Sequence, residues 1–412
     1  MLTKPTLAAA LAFALALPAE AEWPQWGGPQ RDFQLPDVKL AAEWPAGGPK
    51  QLWSRELGEG YSAIAAVGGR LYTMYRQEDD EEIVAAFDAA DGEVAWQHRY
   101  PAPTPGKLRL GYGKGPHSTP LVTVGRVFAV GTTAILSALD AAGGELLWRH
   151  DLWQDLGGSL LLRGYASSPI AYRGTVIVTV GEAGHALVAF AQADGREVWR
   201  TGDFKGSQSS PILIEVGGRE QLVAFVSDAV AGIDPATGEV LWTHPHPAGL
   251  SYNISTPLWE PADRLLFLSS AYGGGSRALK LGIQDGKPTV EELWESSRMK
   301  VHFTNAIRVG DHVYGASGGS GGAILAAIDL SDGELAWKDR AVRRANLLRL
   351  AGDRALILEA DGRLLLADLT PEGIEIRAET QLFDGRAFTV PTLVGHILYA
   401  RDRHWMVALE LP

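Results

Sequence analysis

The chain has 412 residues, no cysteine, 48 Gly, 23 Pro and 13 Trp, with 37 basic against 49 acidic side chains. Without a thiol there is no disulfide framework, no thiolate zinc or redox site, no c-type haem attachment and no lipid anchor on an N-terminal cysteine. A net charge of −12 with no Lys/Arg block excludes nucleic acid as the main partner, and 46% hydrophobic against 21% charged residues describes a globular chain.

Residues 1–21 read as a cleavable export signal. Lys4 supplies the positive start, Leu7 to Leu17 is an 11-residue apolar run, and Ala19-Glu20-Ala21 puts small residues where signal peptidase reads them. A membrane span needs about 20 apolar residues, so this run is too short, and no later segment is apolar enough to cross. The expectation is a periplasmic or secreted protein cleaved near Ala21. The remainder divides into an N-terminal extension over 22–49 and one domain over 50–412.

That domain is periodic. Ala86-x-Asp88-x-x-x-Gly92-Glu93-x-x-Trp96 recurs as Ala138-x-Asp140-x-x-x-Gly144-Glu145-x-x-Trp148 and as Ala327-x-Asp329-x-x-x-Gly333-Glu334-x-x-Trp337. A fourth copy ending at Trp242 has Gly232 in place of the Ala, a fifth ending at Trp199 has Ala191 in place of the Asp, and a sixth ends at Trp294 after an insertion. Successive Trp spacings are 52, 51, 43, 52 and 43 residues. Upstream of each Trp lies a polar start such as Ser118-Thr119-Pro120 or Ser255-Thr256-Pro257, then a Gly-centred turn and a β-rich run. Strands A and B flank that turn, strand C ends at the Asp, and strand D carries the Trp. Asp binds local amides and Gly accepts positive φ in the C–D turn. Four strands per unit at this period describe a propeller blade.

Eight units start near Tyr61, Ser118, Ser167, Ser209, Ser255, His302, Asn346 and Phe388. The last ends after its strand C, whereas Gln51-Leu-Trp53-Ser-Arg-Glu-Leu57 near the other end looks like a strand D without a blade. Residues near 50 to 58 are therefore predicted to complete the C-terminal blade and close the ring, removing its exposed edges. Trp53, Trp96, Trp148, Trp199, Trp242, Trp294 and Trp337 read as blade-docking residues, large rings lying on the neighbouring blade with the indole N–H on a backbone carbonyl. The Gly-rich runs Tyr272–Gly275 and Gly318–Gly322 read as B–C loops, since they lack the Lys-Ser/Thr and the helix of a phosphate cradle.

The A-x-D-x-x-x-G-E-x-x-W element resembles the tryptophan-docking motif of PQQ-type eight-bladed propellers, found in quinoprotein alcohol dehydrogenases and in the outer-membrane assembly lipoprotein BamB. Glu22-Trp23-Pro24-Gln25-Trp26-Gly27-Gly28-Pro29-Gln30-Arg31-Asp32 is similar to the opening of exported PQQ-like repeat proteins common in planctomycete-type bacteria, with Gly27 replacing the usual Arg. The resemblance covers the whole chain after the leader and implies the fold, an all-β eight-bladed propeller, more strongly than any function.

In such a ring the strand A starts line one mouth of the channel. They supply Tyr61, Tyr112, Lys114, His117, Tyr165, Gln208, Tyr252, Asn253, His302, Asn305 and Asn346, a polar and aromatic set suited to a small ligand or peptide. No metal-ligand spacing accompanies His117 and His302, so no metal site is expected. No catalytic residue is assigned. A quinoprotein dehydrogenase would, by the resemblance, hold PQQ over Ca²⁺ with a carboxylate and an amide ligand, a catalytic Asp and, in the alcohol dehydrogenases, an adjacent Cys–Cys disulfide. This chain has no Cys and no acidic residue at the strand A starts, so bound PQQ and Ca²⁺ are disfavoured. The expectation is a monomeric, non-catalytic scaffold for a protein, peptide or small ligand. The lipoprotein form of the BamB reading lacks its cysteine.

Overall fold

The computed structural model describes residues 22–412 apart from 79, 250, 251, 320 and 321. The export signal expected over 1–21 lies outside the described residues. Among them the chain forms eight four-stranded antiparallel sheets and no α-helix. Blade 1 has strands A to D at Ala65–Val67, Arg70–Gln77, Glu81–Asp88 and Val94–Pro101. Strands A of blades 2 to 7 are Leu121–Thr123, Ile170–Tyr172, Ile212–Val216, Leu258–Glu260, Val301–Val309 and Ala345–Arg349. Blade 8 takes strands A to C from Thr392–Val394, Ile397–Arg401 and Trp405–Glu410, and strand D from Lys50–Glu56. The two ends of the chain pair antiparallel, Lys50 against Glu410 and Glu56 against Trp405. This is the predicted closure.

Central strands B and C are buried on both faces and carry Val, Ile, Leu and Ala, whereas each strand D alternates toward solvent. The cores lie between blades, not within them. One apolar cluster joins blades 1 and 2, the next 2 and 3, and so on around the ring, and a larger one joins blades 7, 8 and 1. Blade stacking is therefore the main source of apolar burial.

The repeated motif explains that stacking. In each C–D pair that carries a Trp a small residue faces it, as Ala86 does Trp96 and Ala138 does Trp148, and the register shifts beside it at a bulge. The rings of Trp53, Trp96, Trp148, Trp199 and Trp294 then lie on the next blade's turn glycine. A Cβ at Gly144 would lie 2.5 Å from Trp96, and one at Gly195 would lie 2.7 Å from Trp148. The indole N–H of Trp53, Trp96, Trp148, Trp199, Trp294 and Trp337 donates to the carbonyl of Ala89, Ala141, Gln192, Pro235, Leu330 and Thr370. Asp88, Asp140, Asp234 and Asp329 accept from amides two residues on, holding the turn that presents the carbonyl.

Trp242 differs. Blade 5 joins its strands C and D by a tight Asp285-Gly286 turn at the end of a longer hairpin, so no motif glycine faces Trp242. Its ring folds back over Gly232 in its own blade, and its N–H donates to Gln221 Oε1 at 2.7 Å. A Cβ at Gly232 would overlap the ring, which is why glycine replaces the alanine of the other copies. Gly232→Ala is expected to cost about 1–3 kcal/mol by overpacking, read from the midpoint of equilibrium urea unfolding. An unchanged midpoint would show that Trp242 has room to rotate outward.

Candidate functional site

The extension over 22–49 enters the ring. Trp23 exchanges both backbone hydrogen bonds with Ala66 in strand A of blade 1, and the Val122 amide of blade 2 donates to Pro24 O. Gly27 and Gly28 turn the chain at φ +73° and +85°, with the Trp23 ring packed against Gly28. Arg31 then reaches blade 3, donating to Pro169 O at 2.8 Å and Ser168 O at 3.1 Å. Phe33 and Leu35 pair with Arg349 of blade 7, and the Ala351 amide donates to Val38 O. One strap thus touches blades 1, 2, 3 and 7 on the inner side of the ring. Arg31 is 2% exposed with carbonyls and Gln25 Oε1 as its partners, and burial lowers its guanidinium to about 9.

Above this strap is a chamber of about 220 Å³ at the mouth formed by the strand A starts. Trp26 of the strap lines it, its N–H donating to Thr256 Oγ1 at 2.9 Å. Tyr61, His117, Tyr252, Ile254, Tyr272 and His302 line it from the blades. Tyr112, Phe303 and Phe388 meet from three sides, with ring centroids 6.4 Å, 6.5 Å and 4.9 Å apart. Tyr61 stacks parallel to His117 at 6.0 Å, and Tyr272 stands edge-on to His302 at 4.9 Å. These are the flat faces and few polar groups of a ligand pocket.

Among the described residues the one formal charge on the lining is Arg163, whose guanidinium covers the Tyr112 ring and donates to Arg109 O. Burial lowers both His117 and His302 to about 4, so both imidazoles are neutral at pH 7. Burial also pushes the Tyr61 hydroxyl up to about 12. Between the ordinary histidine value of 6.5 and about 4, the unfolded chain therefore binds protons that the folded chain does not. Stability should fall as pH drops through that window, by about 3 kcal/mol per imidazole. Urea unfolding at pH 7 and pH 4.5 should show the loss, and His302→Gln should reduce it; an unreduced loss would assign it to other groups, His117 and the buried His246 first among them.

Of the residues expected at the mouth, Tyr61, Tyr112, His117, Gln208, Tyr252 and His302 line the chamber. Five others lie beside it. The Lys114 amide donates to Glu59 Oε1 at 2.6 Å. Tyr165 is buried with its amide on Thr132 O. Asn253 donates to Val226 O at 2.7 Å, and Asn305 bridges to both backbone groups of Leu347. Asn346 is buried in strand A of blade 7. Sequence reasoning did not assign Trp26, Arg163, Tyr272, Phe303 or Phe388 to the site. The Trp-Pro-x-Trp opening was the one available signal for Trp26.

The Ca²⁺-held quinone of the dehydrogenases does not fit this lining, which has aromatic faces and neutral imidazoles but no Asp or Glu among the described residues. No group of three His, Asp or Glu side chains among the described residues is arranged to hold a metal ion.

Comparison with known proteins places the chain. A family model described as "Outer membrane protein assembly factor BamB" matches residues 80–339. The outer membrane protein assembly factor BamB of Shewanella oneidensis is 23% identical over 381 residues, covering 85% of this chain and 86% of that protein. Among solved structures, BamB from Moraxella catarrhalis superposes with TM-score 0.59 at 17% identity, over 88% of this chain and 97% of its own. The quinohemoprotein alcohol dehydrogenase from Comamonas testosteroni gives TM-score 0.66 at 14% identity, over 94% and 80%. At these identities the structural likeness establishes the shared propeller fold.

Proposed function

We propose that this chain, which belongs to the family described as outer membrane protein assembly factor BamB, is an exported, non-catalytic scaffold that binds a partner at the mouth of the propeller lined by Trp26, Tyr112 and Phe388. The observation that carries this reading is the site itself: a rigid ring presents an aromatic chamber whose lining, among the described residues, has no carboxylate. His117 and His302 are the imidazoles of the lining, and among the described residues no carboxylate lines the chamber to orient either as a general base and no third ligand completes a metal site with them. The relative's printed name supports a protein as the partner. Among the described residues no helix is long and apolar enough to cross a membrane, which is compatible with export.

Site-specific photo-crosslinking tests it. Leu162 lines the mouth and is 42% exposed, whereas Val124, 74% exposed, sits on an A–B turn. A crosslinker at position 162 should capture one discrete protein in cells, and one at position 124 should not. Equal capture from both positions would remove the mouth as the docking face. In parallel, protein incubated with PQQ and Ca²⁺ should show no alcohol-dependent dye reduction; stoichiometric quinone binding with turnover would replace this reading with the dehydrogenase one.

A further inference from the structure

We infer that the chamber binds one small, uncharged, single-ring aromatic molecule bearing a hydroxyl group, held between Trp26 and the Tyr112, Phe303 and Phe388 cluster, with the hydroxyl paired to His302. This deepens the reading of the mouth as a binding site and adds a ligand of its own to the partner proposed there.

Size selects the ligand first. An apolar cavity of about 150 Å³ accommodates benzene. The chamber's volume of about 220 Å³ therefore suits one ring with one or two substituents, and is small for a multi-ring molecule. Shape and surface select next. The lining is dominated by rings at mutual centroid distances near 5–6 Å, the spacing of offset and edge-on aromatic contacts, as for Tyr61 with Phe388 at 5.1 Å and Phe303 with Phe388 at 4.9 Å.

Charge comes third. No carboxylate among the described residues lines the chamber to favour a cation. Arg163 is already engaged by the Arg109 carbonyl and the Tyr112 face, and the Arg344 guanidinium lies over the Phe303 face at 5.4 Å, so both are poorly placed to favour an anion. An uncharged ligand remains. The polar handle comes last. His302 lines the chamber, is 7% exposed, and its Nδ1 is buried with no hydrogen-bond partner. A buried polar atom left unpaired is unfavourable, and a ligand hydroxyl, which both donates and accepts, relieves it in either tautomer. The Trp26 N–H is occupied by Thr256, so Trp26 contributes its ring face.

Isothermal titration calorimetry of the full chain with p-cresol, and with toluene as its hydroxyl-free match, tests the assignment. Saturable one-to-one binding of p-cresol is expected. Ile254→Trp and Phe388→Trp, which fill the chamber from two sides, should each weaken it at least tenfold with unchanged circular dichroism. His302→Leu should weaken p-cresol about tenfold and toluene less than twofold. Three results would overturn the inference: no saturable p-cresol binding, undiminished binding in both filling variants, or equal loss of both ligands in His302→Leu. Calorimetry needs no partner protein, so its failure leaves the scaffold reading to be judged by the crosslinking experiment alone.

Discussion

Deletion of residues 23–58 should abolish the cooperative fold, whereas deletion of 23–46 should leave a closed but weakened ring. The longer deletion removes the whole of strand D of blade 8, leaving the edge of Trp405–Glu410 unpaired. It also takes Trp23, Leu40, Trp53 and Leu57 out of the cluster that joins blades 7, 8 and 1, and the Trp53 hydrogen bond to Ala89 with them. Large buried side chains cost about 2–5 kcal/mol each when truncated. Four such losses together approach or exceed the about 5–15 kcal/mol by which domains are stable. The shorter deletion also takes Trp23 and Leu40 from that cluster and Phe33 from the next, with the chamber's Trp26 and the strap's contacts with blades 1, 2, 3 and 7, and so lowers the midpoint substantially, but it keeps Trp53, Leu57 and the pairing of Lys50–Glu56 that closes the ring. Size exclusion, circular dichroism melts and urea unfolding separate the cases. A long-deletion protein with unchanged melting behaviour would show that blade 8 is stable with three strands.

The ring was legible in the sequence because one packing solution is used repeatedly. Trp53, Trp96, Trp148, Trp199 and Trp294 each face a small residue across the strand pair and lie on a turn glycine at positive φ in the next blade, held in all but the blade 3 turn by an Asp, so one geometry imposes one residue pattern at each blade junction that uses it. Where the geometry changes, the pattern changes with it: Gly232 stands where Ala is usual because Trp242 has turned inward. The strap was not legible as a channel lining because the segment itself occurs once, and no second copy of it fixes the register of its contacts with Ala66, Val122, Ser168 and Arg349. The site falls between these cases. Strand A starts recur at equivalent positions, and so Tyr61, His117, Gln208 and His302 could be found by counting blades. Arg163 and Tyr272 come from connecting segments, whose lengths differ from blade to blade, and no register relates them. The five candidates outside the lining are polar residues at or near the same ends, and sequence period cannot tell a side chain turned to the channel from one bonded to backbone, as Asn253 and Asn305 are.

The docking geometry makes its own quantitative demand through Trp96 and Gly144. Trp96→Ala should cost about 3–5 kcal/mol, since it empties the space between blades 1 and 2 and leaves Ala141 O without its indole donor. Trp96→Phe keeps much of the apolar area and should cost about 1–2 kcal/mol, mainly for the lost indole hydrogen bond, the Tyr72 hydroxyl still donating to Ala141 O at 3.3 Å. Gly144→Ala and Gly286→Ala form the informative pair. Both glycines have positive φ, +79° and +73°, so each alanine pays about 1–2 kcal/mol of left-handed strain. A Cβ at Gly286 meets nothing within 4 Å, whereas one at Gly144 lies 2.5 Å from Trp96. Gly144→Ala should therefore be worse than Gly286→Ala by a further 1–3 kcal/mol, about the cost of overpacking. In the Trp96→Ala background that excess should vanish, because the ring it strikes is gone, and the double variant should be more stable than the sum of the two single losses. Urea unfolding of the four proteins measures the coupling. If the excess persists without Trp96, the glycine is required by the turn itself and not by the ring that lies on it.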